Sequence, residues 1–203
     1  MIRWMQRSNA VFAEVSTLYA GATTSMGRWM WCNHTQWVAN KTRELAEKYG
    51  ADVEKAYCAA LLHDLGDSTY ERDHAEFETW SWLKAKEILK GVGFRKRERD
   101  EIMEAVRTHS CHTGCLPAAL EGKVLATADG MWHLQTSFFP VLCYMNRPES
   151  IKTYEEWQEW FASKIERDFR DKILFEDERA EVSKDYDALV RIFKNSTLGS
   201  NLT

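Results

Sequence analysis

Apolar residues recur every three or four positions along most of this chain, and no stretch alternates apolar with polar in the way a half-buried strand does. The spacing predicts an all-α fold, a single-domain helical bundle. A first helix covers about residues 8 to 20 and ends in a polar loop at 21–27. The next, about 31 to 49, carries Val38, Leu45 and Tyr49 on one stripe and closes at Gly50. Asp52 caps a helix running through Val53, Ala56, Tyr57 and Ala60 to His63 and Asp64. Ala59, Ala60, Leu61 and Leu62 make that helix apolar on every side, so it belongs at the centre. After a polar segment at 67–73, a helix over about 73 to 90 spaces Phe77, Ser81, Ala85 and Ile88 and closes at Gly91 and Gly93. Another aligns Ile102, Ala105 and Val106, and Pro117 opens one through Val124, Leu125 and Ala128. From about 150 onward Trp157, Trp160, Phe161, Ile165, Phe169 and Ile173 keep helical spacing. A last helix carries Tyr186, Leu189, Val190 and Phe193 before a frayed tail from Asn195 to Thr203.

Several polar residues fall on these apolar stripes. His34 lies four residues before Val38, and His63 and Asp64 end the central helix. His74 shares the stripe of Phe77 and Ser81, His109 extends that of Ile102 and Val106, and Asp129 follows Leu125 by four. A lone inward histidine is ordinarily a hydrogen-bonded core residue. A carboxylate on an Ala/Leu background is different, because burying it without a cation or a tight hydrogen-bond network is costly. Inward polar groups on separate helices of one bundle therefore point to a metal centre.

Composition narrows the classes. A chain of 203 residues fits one domain with a sizeable core. Within it we expect a metal-binding core at 26–135, with C-terminal helices at 150–196 packed upon it. A net charge of −4 gives no general attraction for nucleic acid. The basic residues Arg95, Lys96, Arg97 and Arg99 are interleaved with Glu98, Asp100 and Glu101, as on a solvated helix start. No run approaches the roughly 20 apolar residues of a membrane span, and the N-terminal residues lack a signal-peptide core. The expected location is cytoplasmic. Five cysteines without a secreted-domain pattern imply reduced thiols.

The run Leu61, Leu62, His63, Asp64, Leu65, Gly66, with His34 before it and Ala126, Thr127, Ala128, Asp129 after it, resembles the HD-domain superfamily of metal-dependent phosphohydrolases. The resemblance implies that His34, His63, Asp64 and Asp129 hold a first metal ion. His74 and His109 match the positions of a second, with Asp64 as the bridge. The cofactor would be one or two divalent transition metals: Mn, Fe, Ni, Co or Zn. Ser110 stands where some binuclear relatives carry another histidine, and Asp67 where many carry a phosphate-contacting lysine. Arg72, Arg107 and Lys123, near the ligands in sequence, are the candidate phosphate contacts. Asp67 and His112 are the candidate proton donors beside Asp64.

The implied function is hydrolysis of a nucleotide or other small phosphate ester by metal-activated water. The same superfamily includes di-iron oxygenases with the ligand order His, His-Asp, His, His, Asp, and a non-catalytic nucleotide-binding domain is a third reading. A compact zinc site formed by His109, Cys111, His112 and Cys115 competes for part of this set, although it lacks a second, separated ligand pair. Trp29, Trp31, Trp37 and Trp132 flank the ligands as core, or as walls of a pocket.

Overall fold

The computed structural model describes residues 2–145 and 153–193. Over these residues the regular elements are helical: α1 (Ile2–Ala20), α2 (Ser25–Met30), α3 (Gln36–Tyr49), α4 (Val53–Leu62), α5 (Phe77–Gly91), α6 (Lys96–Thr108), α7 (Leu120–Gln135), α8 (Phe138–Met145), α9 (Tyr154–Arg167) and α10 (Glu176–Phe193). Among the described residues no helix is long and apolar enough to cross a membrane.

The two interior helices, α4 and α7, are apolar over most of their length. α4 is enclosed by α1, α3, α6 and α7, and α7 by α3, α4, α6, α8 and α10. On α4 the side chains of Ala56, Cys58, Ala59 and Ala60 are fully buried, and their small size lets neighbouring helices approach on every side. α7 is buried without interruption from Val124 to Leu134. Each large side chain so enclosed contributes about 1.5–3 kcal/mol relative to exposure.

The caps follow the sequence closely at α3 and α4. Gly50 ends α3 in the left-handed region with φ of 76°, and the Asp52 carboxylate accepts the Lys55 N–H at 3.1 Å. Elsewhere the boundaries move. α5 begins at Phe77 because residues 69–76 close a series of turns, with Thr69 and Tyr70 N–H donating to Gly66 O and His74 N–H to Glu71 O. Pro117 does not open α7, whose first residue is Leu120. It is buried against Gly122, where an added Cβ would lie 2.6 Å from the proline ring. The C-terminal stretch expected to run through Ile173 leaves the helix there, and α10 starts afresh at Glu176. Glu178 then fastens α10 to the end of α3, accepting from Lys48 Nζ at 2.8 Å and from the Tyr49 hydroxyl. The expected frayed tail lies outside the described residues.

Among the described residues two turns are π-helical: Trp31–Thr35, between α2 and α3, and Asp168–Lys172, at the C-terminal end of α9. Such turns take an extra residue and rotate the chain downstream of it, so they re-aim side chains. His34 lies in the first, and Asp168 and Lys172 in the second.

Candidate metal centre

His34, His63 at the end of α4, Asp64 beside it and Asp129 from the middle of α7 meet inside the bundle. His34 Nε2 lies 2.9 Å from His63 Nε2, 3.4 Å from Asp129 Oδ1 and 3.7 Å from Asp64 Oδ2. His63 Nε2 is 3.5 Å from Asp64 Oδ2 and 3.9 Å from Asp129 Oδ1. His109, which caps α6, reaches to within 4.0 Å of Asp64 Oδ1.

Backbone bonds decide which ring nitrogens face inward. His63 Nδ1 donates to Ala60 O and His109 Nδ1 to Val106 O, each at 2.6 Å. A carbonyl only accepts, so the proton of each neutral ring sits on Nδ1 and Nε2 offers its lone pair to the centre. Burial disfavours the charged ring, lowering His34 and taking His109 down to about 4, with the neighbouring His63 adding to the fall. Burial by itself would raise the two carboxyls. The Arg72 guanidinium nevertheless holds Asp64 well below the usual range, and the Lys172 ammonium does the same for Asp129.

Asp129 Oδ1 is buried and, among the described residues, accepts no hydrogen bond, although it is ringed by imidazole nitrogens. Neutral nitrogens, ionised carboxylates and an orphaned oxygen converging on one point fit a divalent transition ion. Among the described residues two overlapping groups are spaced to hold one: His34, His63 and Asp64, and His34, Asp129 and His133.

The other expected residues divide. His74 stays outside: it is exposed in the turn before α5, stacked on Tyr70 at 4.4 Å, with Nδ1 accepting the Glu76 N–H. The stripe that placed it inward begins only at Phe77. A cleft of about 250 Å³ opens on the centre, with His63, Asp64, Arg72, Arg107, His109 and His112 in its walls. A second cleft of about 380 Å³ adjoins the first through Arg72 and His112 and reaches His133. Arg72 donates from Nε to Asp67 Oδ1 at 2.9 Å and from Nη2 to Asp64 Oδ2 at 2.6 Å, with a second bond to Asp67 Oδ2. Asp67 is buried beneath this fork and lines neither cleft. Arg107 lies over the Trp82 ring at 5.4 Å. Lys123 also lines neither cleft. The competing zinc loop is not assembled among the described residues, since Cys111 is buried and donates to His109 O while Cys115 is exposed. Trp132 is core, edge-on to His34 at 4.4 Å, and Trp29 packs on Trp132 in turn.

The sequence reading missed a second layer. His133, one turn after Asp129, points Nε2 at Asp129 Oδ1 over 3.3 Å, while its Nδ1 donates to Asp168 Oδ2 at 2.9 Å. Lys172 bonds the other Asp129 oxygen, and Lys164 bonds Asp168 at 3.0 Å. His133 was detectable by the same four-residue rule that singled out Asp129. Asp168 and Lys172 carried no such signal, because a π turn brings them in from another helix.

The structure thus defines an all-helical bundle whose interior carries a His/Asp cluster suited to a divalent metal. The family model described as HD domain matches residues 31–131, and over that stretch the chain is an HD domain, extended by C-terminal helices. No curated protein and no solved structure matched the chain.

Proposed function

We propose that this protein is a metal-dependent phosphohydrolase acting on a nucleotide or other small phosphate ester, with His34, His63, Asp64 and Asp129 holding the metal. The observation that carries this reading is the convergence of inward Nε2 atoms and carboxylate oxygens around the unbonded Asp129 Oδ1, behind a cleft that His63, Asp64 and His109 line. A divalent ion held there supplies a nucleophilic water near neutral pH and polarises a phosphoryl oxygen. His109 adds a donor on the Asp64 side. With His74 outside, the residues favour one tightly held ion over a fully furnished pair.

The phosphate meets Arg72 and Arg107 in the cleft wall, whose planar forks suit its oxygens. Asp67 stands where relatives have lysine, yet it restores a cation by fixing Arg72 over the cleft. It acts as a positioning residue and not as the proton donor first expected. His112 lies in the cleft wall, where Arg167 Nη1 donates to its Nδ1 at 3.2 Å, so the neutral ring turns an Nε2–H outward as a hydrogen-bond donor to a phosphate oxygen and does not transfer a proton.

The test is metal analysis of anaerobically purified protein, followed by phosphate release from a panel of phosphate esters with Mn, Fe, Co, Ni and Zn in turn. Asp64→Ala is expected to lose both metal and phosphate release to background. Retained turnover in that variant would overturn the mechanism.

A further inference from the structure

Resting on that hydrolase reading, we propose that the substrate's leaving side carries a second anionic group on a flat apolar body, held by Lys164 and Arg167 in the second cleft. This cleft begins where the first ends, across Arg72 and His112, so one molecule can occupy both. One of its walls is apolar, formed by Phe138, Leu142 and Trp160. Its charged wall holds Lys164 and Arg167, with Asp73 and with Arg72, whose charge Asp64 and Asp67 already take up.

α9 presents Trp160, Ser163, Lys164 and Arg167 to the cleft at helical spacing, so a ring-stacking surface and two cations share one face. Lys164 Nζ sits 5.2 Å from the Phe138 ring centroid. Its carboxylate partner, Asp168, also takes the His133 Nδ1–H, so one acid serves several donors. Arg167 spends Nη1 on His112. Its Nε is buried and, among the described residues, makes no hydrogen bond, and its nearest acid oxygen, on Asp168, is 3.9 Å away. Lys164 and Arg167 thus share one carboxylate, Asp168, and leave positive charge on the wall for an anion. α8 and α9 both lie beyond residue 131, where the family match ends, so the core carries the metal ligands and the added helices carry the selectivity.

The probes are hydrolysis-resistant phosphonates: benzylphosphonate, 4-carboxybenzylphosphonate and p-xylylenediphosphonate, titrated calorimetrically into the metal-loaded protein. At least one probe bearing the second anionic group is expected to bind about tenfold or more tighter than benzylphosphonate, and the tighter one identifies that group as carboxylate or phosphoryl. Arg167→Gln removes the fork from a partly exposed site, and Ser163→Glu adds a negative charge at an exposed one. Each is expected to shrink the preference to within about twofold. Equal affinities in the parent protein, or a preference that survives both variants, would overturn the proposal. Discrimination among the probes without phosphate release from any ester would leave the subsite standing and remove the hydrolase reading; release without discrimination would do the reverse.

Discussion

Asp129 and Lys172 set opposite charges in direct contact inside the bundle, each side chain only 3% exposed. Burial alone would push the lysine down, but Asp129 and Asp168 reverse that and hold it above its ordinary value, so the pair is ionised. Removing one member of a buried pair leaves the other charge uncompensated, at about 3–5 kcal/mol. Lys172→Met should therefore cost metal-free protein about that much in urea unfolding. The loss should shrink when metal is present, because a second cation then neutralises Asp129. A deficit that metal does not reduce would show that the two cations do not share the carboxylate. At this scale much of the centre was legible. His34, His63, Asp64, His109 and Asp129 could each be placed inward from the spacing of their apolar neighbours, a property of one helix at a time. Lys172 could not, because its partner lies 43 residues away and only the fold pairs them.

Helix α7 and the π turn Asp168–Lys172 approach so closely that position 130 has no room for a side chain. Thr127 Oγ1 donates to Lys172 O and accepts the Leu174 N–H, each at 3.1 Å, which pins the exit of the turn. At Gly130 an added Cβ would meet Ile173 Cδ1 at 2.9 Å, Lys172 Cβ at 3.0 Å and Asp168 O at 3.1 Å. The first neighbour can swing away, but the carbonyl can move only with the turn. Gly130→Ala should thus displace Asp168 and Lys172 from His133 and Asp129. Overpacking of about 1–3 kcal/mol exceeds the roughly 1 kcal/mol that alanine gains in helix propensity. Thermal melting should show a net loss together with weaker metal binding, whereas Gly91→Ala, where a Cβ meets nothing within 4 Å, should be neutral or stabilising. A stabilised Gly130→Ala with unchanged metal affinity would refute the close-contact argument. The elements themselves were readable because amphipathic stripes and caps are local. The two π turns, the late start of α5 and the break at Ile173 were not, since each is imposed by the elements packed against it. The late start of α5 is also why His74, placed inward by extending a stripe, stands in solvent.

Across the whole molecule, the neutral histidines couple the centre to acid stability. Burial takes His109 down to about 4 and His133 to about 3, both below the ordinary value of 6.5. As pH falls below 6.5 the unfolded chain therefore takes up protons that the folded chain refuses. The stability these rings provide is complete above 6.5 and drains away as pH drops toward 4 and then 3. Asp67 works the other way. Burial, with Asp64 beside it, raises its carboxyl to about 6 against the pull of Arg72, so the folded state gains protons first between about 6 and 3.8. That displacement is smaller than either imidazole's and cannot offset the pair. At about 1.4 kcal/mol per pH unit for each shifted group, metal-free protein should lose a few kcal/mol of unfolding free energy between pH 6.5 and 4.5. Bound metal needs the same nitrogens unprotonated, so it should hold the acid limb at lower pH, and its affinity should fall over the same interval. Urea titrations at pH 7, 6, 5 and 4.5, with and without chelator, separate the outcomes. A metal-free stability that stays flat down to pH 4.5 would show that the buried imidazoles are not what the acid limb reports. A limb that metal leaves in place would show that the ion is held elsewhere.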